Sequence, residues 1–147
     1  WEPYHKEEVV VIAPPTHPLT KKGVVPLELL AEELFVMNNK ESVIRDMVER
    51  TFAERGLSLK IALEINIRFG GRSAIRNAVA NGLGIAFVTH CHAKADIEVG
   101  RLKILKVADL NLKRTLYTTM HKTRRRSPLV QMFRDFLSHL KEGEMQF

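Results

Sequence analysis

Residues 72–88 read RSAIRNAVANGLGIAFV, and this stretch decides the fold class. Ser73 stands where it can cap a short helix, with Ala74, Ile75, Ala78 and Val79 on one face at helical spacing. Asn81 and Gly82 end that helix, because glycine takes the left-handed C-cap conformation without a Cβ clash, and the apolar run 85–88 follows as a buried strand. A helix that gives way to a strand within about two residues marks an α/β layer structure, in which helices flank a mostly parallel sheet and a ligand crevice lies at the carboxyl ends of the strands.

Upstream of this unit, residues 8–13 (EVVVIA) form a strand rich in β-branched residues and closed by Pro14 and Pro15, and 16–23 is a polar turn region. Pro26 suits the first turn of a helix whose apolar side is Leu27, Leu29, Leu30 and Leu34. A short strand over 34–37 leads to a helix over 42–55, with Ile44, Met47, Val48 and Phe52 inward and Gly56 as its stop. A strand over 60–65 alternates Ile61, Leu63 and Ile65 with other residues, and the loop 66–71 returns to the opening helix. Downstream come a short helix over 89–95 and strands over 102–107 and 114–121. A last helix begins at Ser127-Pro128, with Val130, Phe133, Phe136, Leu137 and Leu140 on one face. The predicted order is β, α, β, α, β, α, β, α, β, β, α, without an internal repeat.

The totals fit one medium domain or two small lobes: 147 residues, 45% of them hydrophobic. No apolar run approaches the roughly 18 residues of a membrane span, and no leader with a small-residue cleavage site opens the chain, so a cytoplasmic protein is expected. The single cysteine, Cys91, allows no internal disulfide. A net charge of +6 makes phosphates, acidic metabolites or nucleic acid plausible partners. Zinc-finger spacing, an RNP motif, a heptad zipper and a helix-turn-helix pair are all absent from the sequence. Paired carboxylates, a phosphate-loop motif and metal-ligand spacing are absent too, so no catalytic residue, metal or cofactor is expected and the chain does not read as an enzyme.

In this order, several words resemble the effector-binding domain of a LysR-type transcriptional regulator: VVVIAPPTHP at 9–18, PLELLAEELF at 26–35, ESVIR at 41–45, AIRNAVANGLGIAF at 74–87, GRL at 100–102 and SPLVQMFRDFL at 127–137. The resemblance implies a periplasmic-binding-protein-like α/β fold with Rossmann-type lobes. Residues 24–107 would be the second lobe, and 1–23 and 108–147 the crossover and the return to an incomplete first lobe. It implies that the N-terminal winged helix-turn-helix is missing, so that DNA is bound only by the intact protein. Such a protein is a homodimer or tetramer, with the helix over 73–81 and its neighbouring strand as candidates for an isologous interface. The resemblance further implies a sensor whose small effector binds between lobes and alters DNA binding through rearrangement of the oligomer. The rival readings are a stand-alone periplasmic-type solute-binding protein and a small basic nucleic-acid-binding protein.

Helix N-termini attract anions because their first N–H groups are unpaired, so a carboxylate or phosphate effector is expected. The first candidate wall is Asn39, Lys40, Ser42 and Arg45, of which Ser42 and Arg45 match the family's Gly-Ser-Gly-Thr-Arg word, whereas Glu41, Val43 and Ile44 depart from it. The second is Arg68, Phe69, Gly70, Arg72 and Ser73, where glycine lets a backbone approach a ligand and arginine forms paired hydrogen bonds with it. Thr89 and His90 form the third. Against this stands the plainer reading that Ser42 and Ser73 are caps and the arginines a solvated face. His90-Cys91-His92 reads as a buried thiol between two rim histidines, and 122–126 (KTRRR) as a solvated turn.

Overall fold

The computed structural model describes residues 1–66, 71–121 and 127–142, and the chain divides into two units, Glu8–Leu112 and Trp1–Glu7 with Lys113–Phe147. The first strand, β1 (Glu2–Ala13), passes through both. It begins six residues before the expected strand, because the charged run His5 to Glu8 lies on a stretch that pairs with β6 (Leu112–Thr118) rather than in a core.

In the larger unit, β2 (Leu34–Asn38) pairs in parallel with β3 (Lys60–Ile65), with a bulge between Phe35 and Val36. A parallel bridge from Phe35 to Ile85 joins β2 to β4 (Ala86–Thr89). β1 lies between β4 and β5 (Lys103–Leu105), antiparallel to both. The strands thus form two sheets, a parallel pair β2-β3 and an antiparallel sheet β4-β1-β5 with β6 also on β1, and the Phe35–Ile85 bridge links the one to the other just before β4. Because Val9 to Ala13 pair with these neighbours, they belong to this unit, although the sequence groups them with residues 1–23.

Alternation along the strands feeds two cores. Val9, Val11, Ala13, Phe35, Met37, Ile85 and Phe87 point to one face and pack with Leu27 and Leu30 of α1 (Leu27–Leu30) and Val48 and Phe52 of α2 (Val43–Glu54). Phe35 stacks on Phe87 with ring centroids 5.7 Å apart, and Phe52 meets both edge-on. Val10, Ile12, Val36, Ala86 and Val88 point to the other face, under Ile75, Ala78 and Val79 of α3 (Gly71–Ala80) and Ala93 of α4 (His90–Glu98).

The junction from α3 to β4 is built from two glycines. Gly82, at φ +79°, closes a Schellman cap in which its N–H bonds to Val79 C=O and the Leu83 N–H to Ala78 C=O. Gly84 lies where a Cβ would stand 2.5 Å from the Leu34 carbonyl oxygen, the same oxygen that accepts from the Ile85 N–H. The polar turn contains a 3-10 helix (Pro18–Lys21) that buries Leu19, with the His17 Nδ1 accepting from the Leu19 N–H as its cap.

Several elements differ in extent from the sequence reading. α1 is a single turn with Pro26 as N-cap, and Leu34 belongs to β2, where it is 54% exposed, because the chain leaves α1 at Ala31. β5 is shorter than 102–107, and β6 starts before 114. α3 begins at Gly71, so Ser73 sits inside its first turn and is exposed rather than being the cap. β3 is an edge strand whose Ile61 and Leu63 are half exposed. In the smaller unit α5 (Pro128–Glu142) carries Leu129, Met132, Phe133 and Phe136 largely exposed. Residues 122–126 lie outside the described part of the chain.

Candidate effector site

The pairings of β2 with β3 and β4 bring Asn38, Ile65 and Thr89 to one edge of the larger unit, since Asn38 is in register with Ile65 and β4 runs parallel to β2. A helix starts at that edge after each of two strands: α2 after β2, with Ser42 as N-cap, and α4 directly after β4, with Thr89 as N-cap. Two N-termini with their partial positive charge therefore share one rim, the position where open α/β sheets accept ligands.

The turn between β2 and α2 is closed by two main-chain bonds, from Asn39 N–H to Ile65 C=O (3.0 Å) and from Ser42 N–H to Asn39 C=O (3.0 Å). Ser42 occupies the N-cap position and is buried, yet its hydroxyl makes no cap hydrogen bond. Among the described residues, the buried carboxamide oxygens of Asn38 and Asn39 have no hydrogen-bond partner. Buried polar atoms of this kind are uncommon and mark a place where a further group is accommodated. Lys40 is exposed at the head of the turn.

Thr89 ends β4, is 1% exposed and is the N-cap of α4. Its Oγ1 contacts the Cys91 Sγ at 3.3 Å and makes a short contact with the His92 Nδ1. His90 is exposed. Cys91 is exposed as well, a correction to the buried thiol expected, because as the second residue of α4 it lies off the face that buries Ala93. No group of three His, Cys, Asp or Glu side chains is placed to hold a metal among the described residues.

Arg45 is only 4% exposed, and its guanidinium is directed into the protein. Nη1 donates to the Asn38 C=O (2.9 Å) and to Glu64 Oε2 (2.6 Å), and Nε donates to Glu49 Oε1 (2.7 Å). Burial by itself would lower its pKa, but the hydrogen bonds and charges of Glu49 and Glu64 outweigh that and raise it above the ordinary arginine value. Arg76 of α3 and Arg101 after α4 are engaged as well, both donating to Asp96.

The structure thus brings Asn39, Lys40, Ser42, Thr89 and His90 to the rim. Arg68, Phe69 and Gly70 lie outside the described residues, as does the side chain of Arg72. Asn38 was not singled out from the sequence. Its signal was an asparagine ending an otherwise apolar strand, where the residue is disfavoured.

Residues 1–141 match the family model described as the LysR substrate binding domain. The RuBisCO operon transcriptional regulator of Allochromatium vinosum is 34% identical over 136 residues, which cover 92% of this chain and 44% of that protein. An uncharacterised HTH-type transcriptional regulator of Methanocaldococcus jannaschii is 31% identical over 133 residues, covering 90% of this chain and 45% of that one. The chain therefore spans less than half the length of these relatives. Among solved structures, the CcmR regulatory domain of Synechocystis PCC6803 in complex with 2-PG superposes with a TM-score of 0.85 at 27% identity, covering 97% of this chain and 66% of that one. The effector-binding domain of QuiR in complex with shikimate gives 0.79 at 23% identity, covering 96% and 64%, and shows the fold alone.

Proposed function

The chain belongs to the LysR substrate-binding domain family, and from that membership we propose that it senses a small organic anion on behalf of a transcriptional regulator. One observation carries the reading: the N-termini of α2 and α4 meet at a rim that also holds a buried serine without a cap bond and, among the described residues, two unpaired carboxamide oxygens. The N-termini suit an anionic head. The Asn38 and Asn39 oxygens are acceptors, so the effector also presents hydrogen-bond donors such as hydroxyl groups.

The binding residues of this reading are Asn39, Lys40, Ser42, Thr89 and His90, joined by Arg68, Phe69, Gly70, Arg72 and Ser73 from the segment that opens α3. The effector is bound and released unchanged, so the protein acts as a switch and not as an enzyme. Binding favours one arrangement of the regulator over another and so changes its grip on DNA, because a ligand shifts an equilibrium only through its difference in affinity for the two states. Glu8–Leu112 is the second lobe in this reading, and Trp1–Glu7 with Lys113–Phe147 is part of the first. Assembly as a homodimer or tetramer, DNA contact through a winged helix-turn-helix domain, and a cytoplasmic location belong to the same proposal for the whole protein. Among the described residues no helix is long and apolar enough to cross a membrane.

Calorimetric titration with 2-PG, the ligand of the CcmR domain, and with inorganic phosphate tests the reading. Saturable binding that weakens as salt rises supports it, and the absence of heat and of thermal stabilisation with every small anion tried contradicts it.

A further inference from the structure

The side chain that shapes the proposed rim without lining it is Arg45. A residue meant to neutralise an anionic ligand presents free donors at the ligand surface. Arg45 instead is buried and faces two carboxylates, Glu49 and Glu64, so the local charge of the trio is negative. Its three hydrogen bonds reach three different elements: the last residue of β2 through the Asn38 carbonyl, the penultimate residue of β3 through Glu64, and the second turn of α2 through Glu49.

These are the elements that deliver the first two sides of the rim. The turn 39–42 is held at its start, because Arg45 binds the Asn38 carbonyl, and at its end, because Arg45 stands on the first turn of α2. The register of Asn38 with Ile65 and the bond from the Asn39 N–H to the Ile65 carbonyl lie beside the same contact, since Glu64 is the neighbour of Ile65. The unpaired Asn38 and Asn39 oxygens and the uncapped Ser42 hydroxyl all sit on the segment so held.

We propose that Arg45 is a positioning residue for the effector site, clamping the carboxyl ends of β2 and β3 to the start of α2 so that the 39–42 turn keeps its ligand-ready form. This rests on the effector reading above and goes beyond it, because it removes Arg45 from the ligand-contacting set and assigns Glu64, on another strand, to the same device. A lysine cannot replace it: one ammonium lacks the planar fork that serves Nε and Nη1 partners together.

The test uses this chain, its Arg45→Lys variant and its Glu64→Gln variant, with amide hydrogen exchange without ligand and calorimetry with 2-PG. In Arg45→Lys, exchange over 39–43 rises about tenfold while Val11 and Phe87 stay unchanged, and 2-PG affinity falls by about tenfold, the loss expected for one charge-assisted hydrogen bond. Glu64→Gln keeps an acceptor but loses the charge, so it shows smaller changes in the same direction, and it carries the test if Arg45→Lys fails to fold. Lost affinity with unchanged exchange would overturn the proposal by making Arg45 a direct ligand. Faster exchange with unchanged affinity would overturn it by reducing the clamp to a structural role. If neither 2-PG nor inorganic phosphate binds the wild-type chain, the effector reading fails and the positioning role with it, while the exchange data still decide whether the clamp exists.

Discussion

At the scale of single residues, the two glycines between α3 and β4 act through different physics. Gly82 has a left-handed φ and open space around its missing Cβ, so Gly82→Ala costs only the backbone strain, about 1 kcal/mol. Gly84, at φ +151°, combines a strained conformation with a Cβ that would strike the Leu34 carbonyl, and Gly84→Ala is expected to cost about 3 kcal/mol in urea denaturation. The first role is legible in the sequence, because Asn-Gly after a helical face is a local stop signal. The second is not, because the atom that Gly84 must admit belongs to β2, fifty positions earlier. Arg45 shows the same limit. Its neighbours suggest an anion ligand, and only the fold discloses Glu64, 19 residues away, as its partner. Arg45→Met is expected to lower stability by about 2 kcal/mol, less than for a fully dry pair because both carboxylates remain half exposed. Since its pKa is raised, the stabilisation from Arg45 is complete below the ordinary arginine value and is lost only as pH climbs through the higher folded one. Its titration therefore leaves the unfolding midpoint unchanged across neutral pH.

At the scale of elements, α2 and α5 make opposite cases. An N-cap serine normally contributes about 1 kcal/mol through its hydroxyl. Ser42 makes no such bond, so Ser42→Ala should change the unfolding free energy by less than about 0.5 kcal/mol while weakening 2-PG binding. A stability loss of the usual size with unchanged affinity would return Ser42 to the role of a plain cap. α5 was legible in extent from Ser127-Pro128 and its apolar face, but the sequence did not indicate how exposed that face is. Phe133, 60% exposed, and Leu129 line a cavity of about 530 Å³ together with Tyr4 and Met120, and Phe136 adds further exposed apolar surface on the same helix. Phe133→Ser with Phe136→Ser is expected to leave the melting temperature nearly unchanged and to suppress self-association in light scattering. The exposed start of β1 escaped sequence reading for a related reason: with no core to face, it carries no apolar alternation.

At the scale of the whole molecule, protection should follow the sheet of the larger unit. Val11 and Ile12 have paired neighbours on both sides and feed one core each, so their amides are expected to be among the slowest to exchange, and those of α5 among the fastest. From its net charge of +6, this chain alone is expected to show in salt titrations only a sequence-blind attraction to DNA that fades as salt is raised. The proposed anion site lies at the helix N-termini that follow β2 and β4. The most direct measurement is a ¹H–¹⁵N NMR titration of the chain with 2-PG: saturable shifts clustered over 38–45 and 89–92 are predicted, and shifts confined to β5 or α5 would contradict the account.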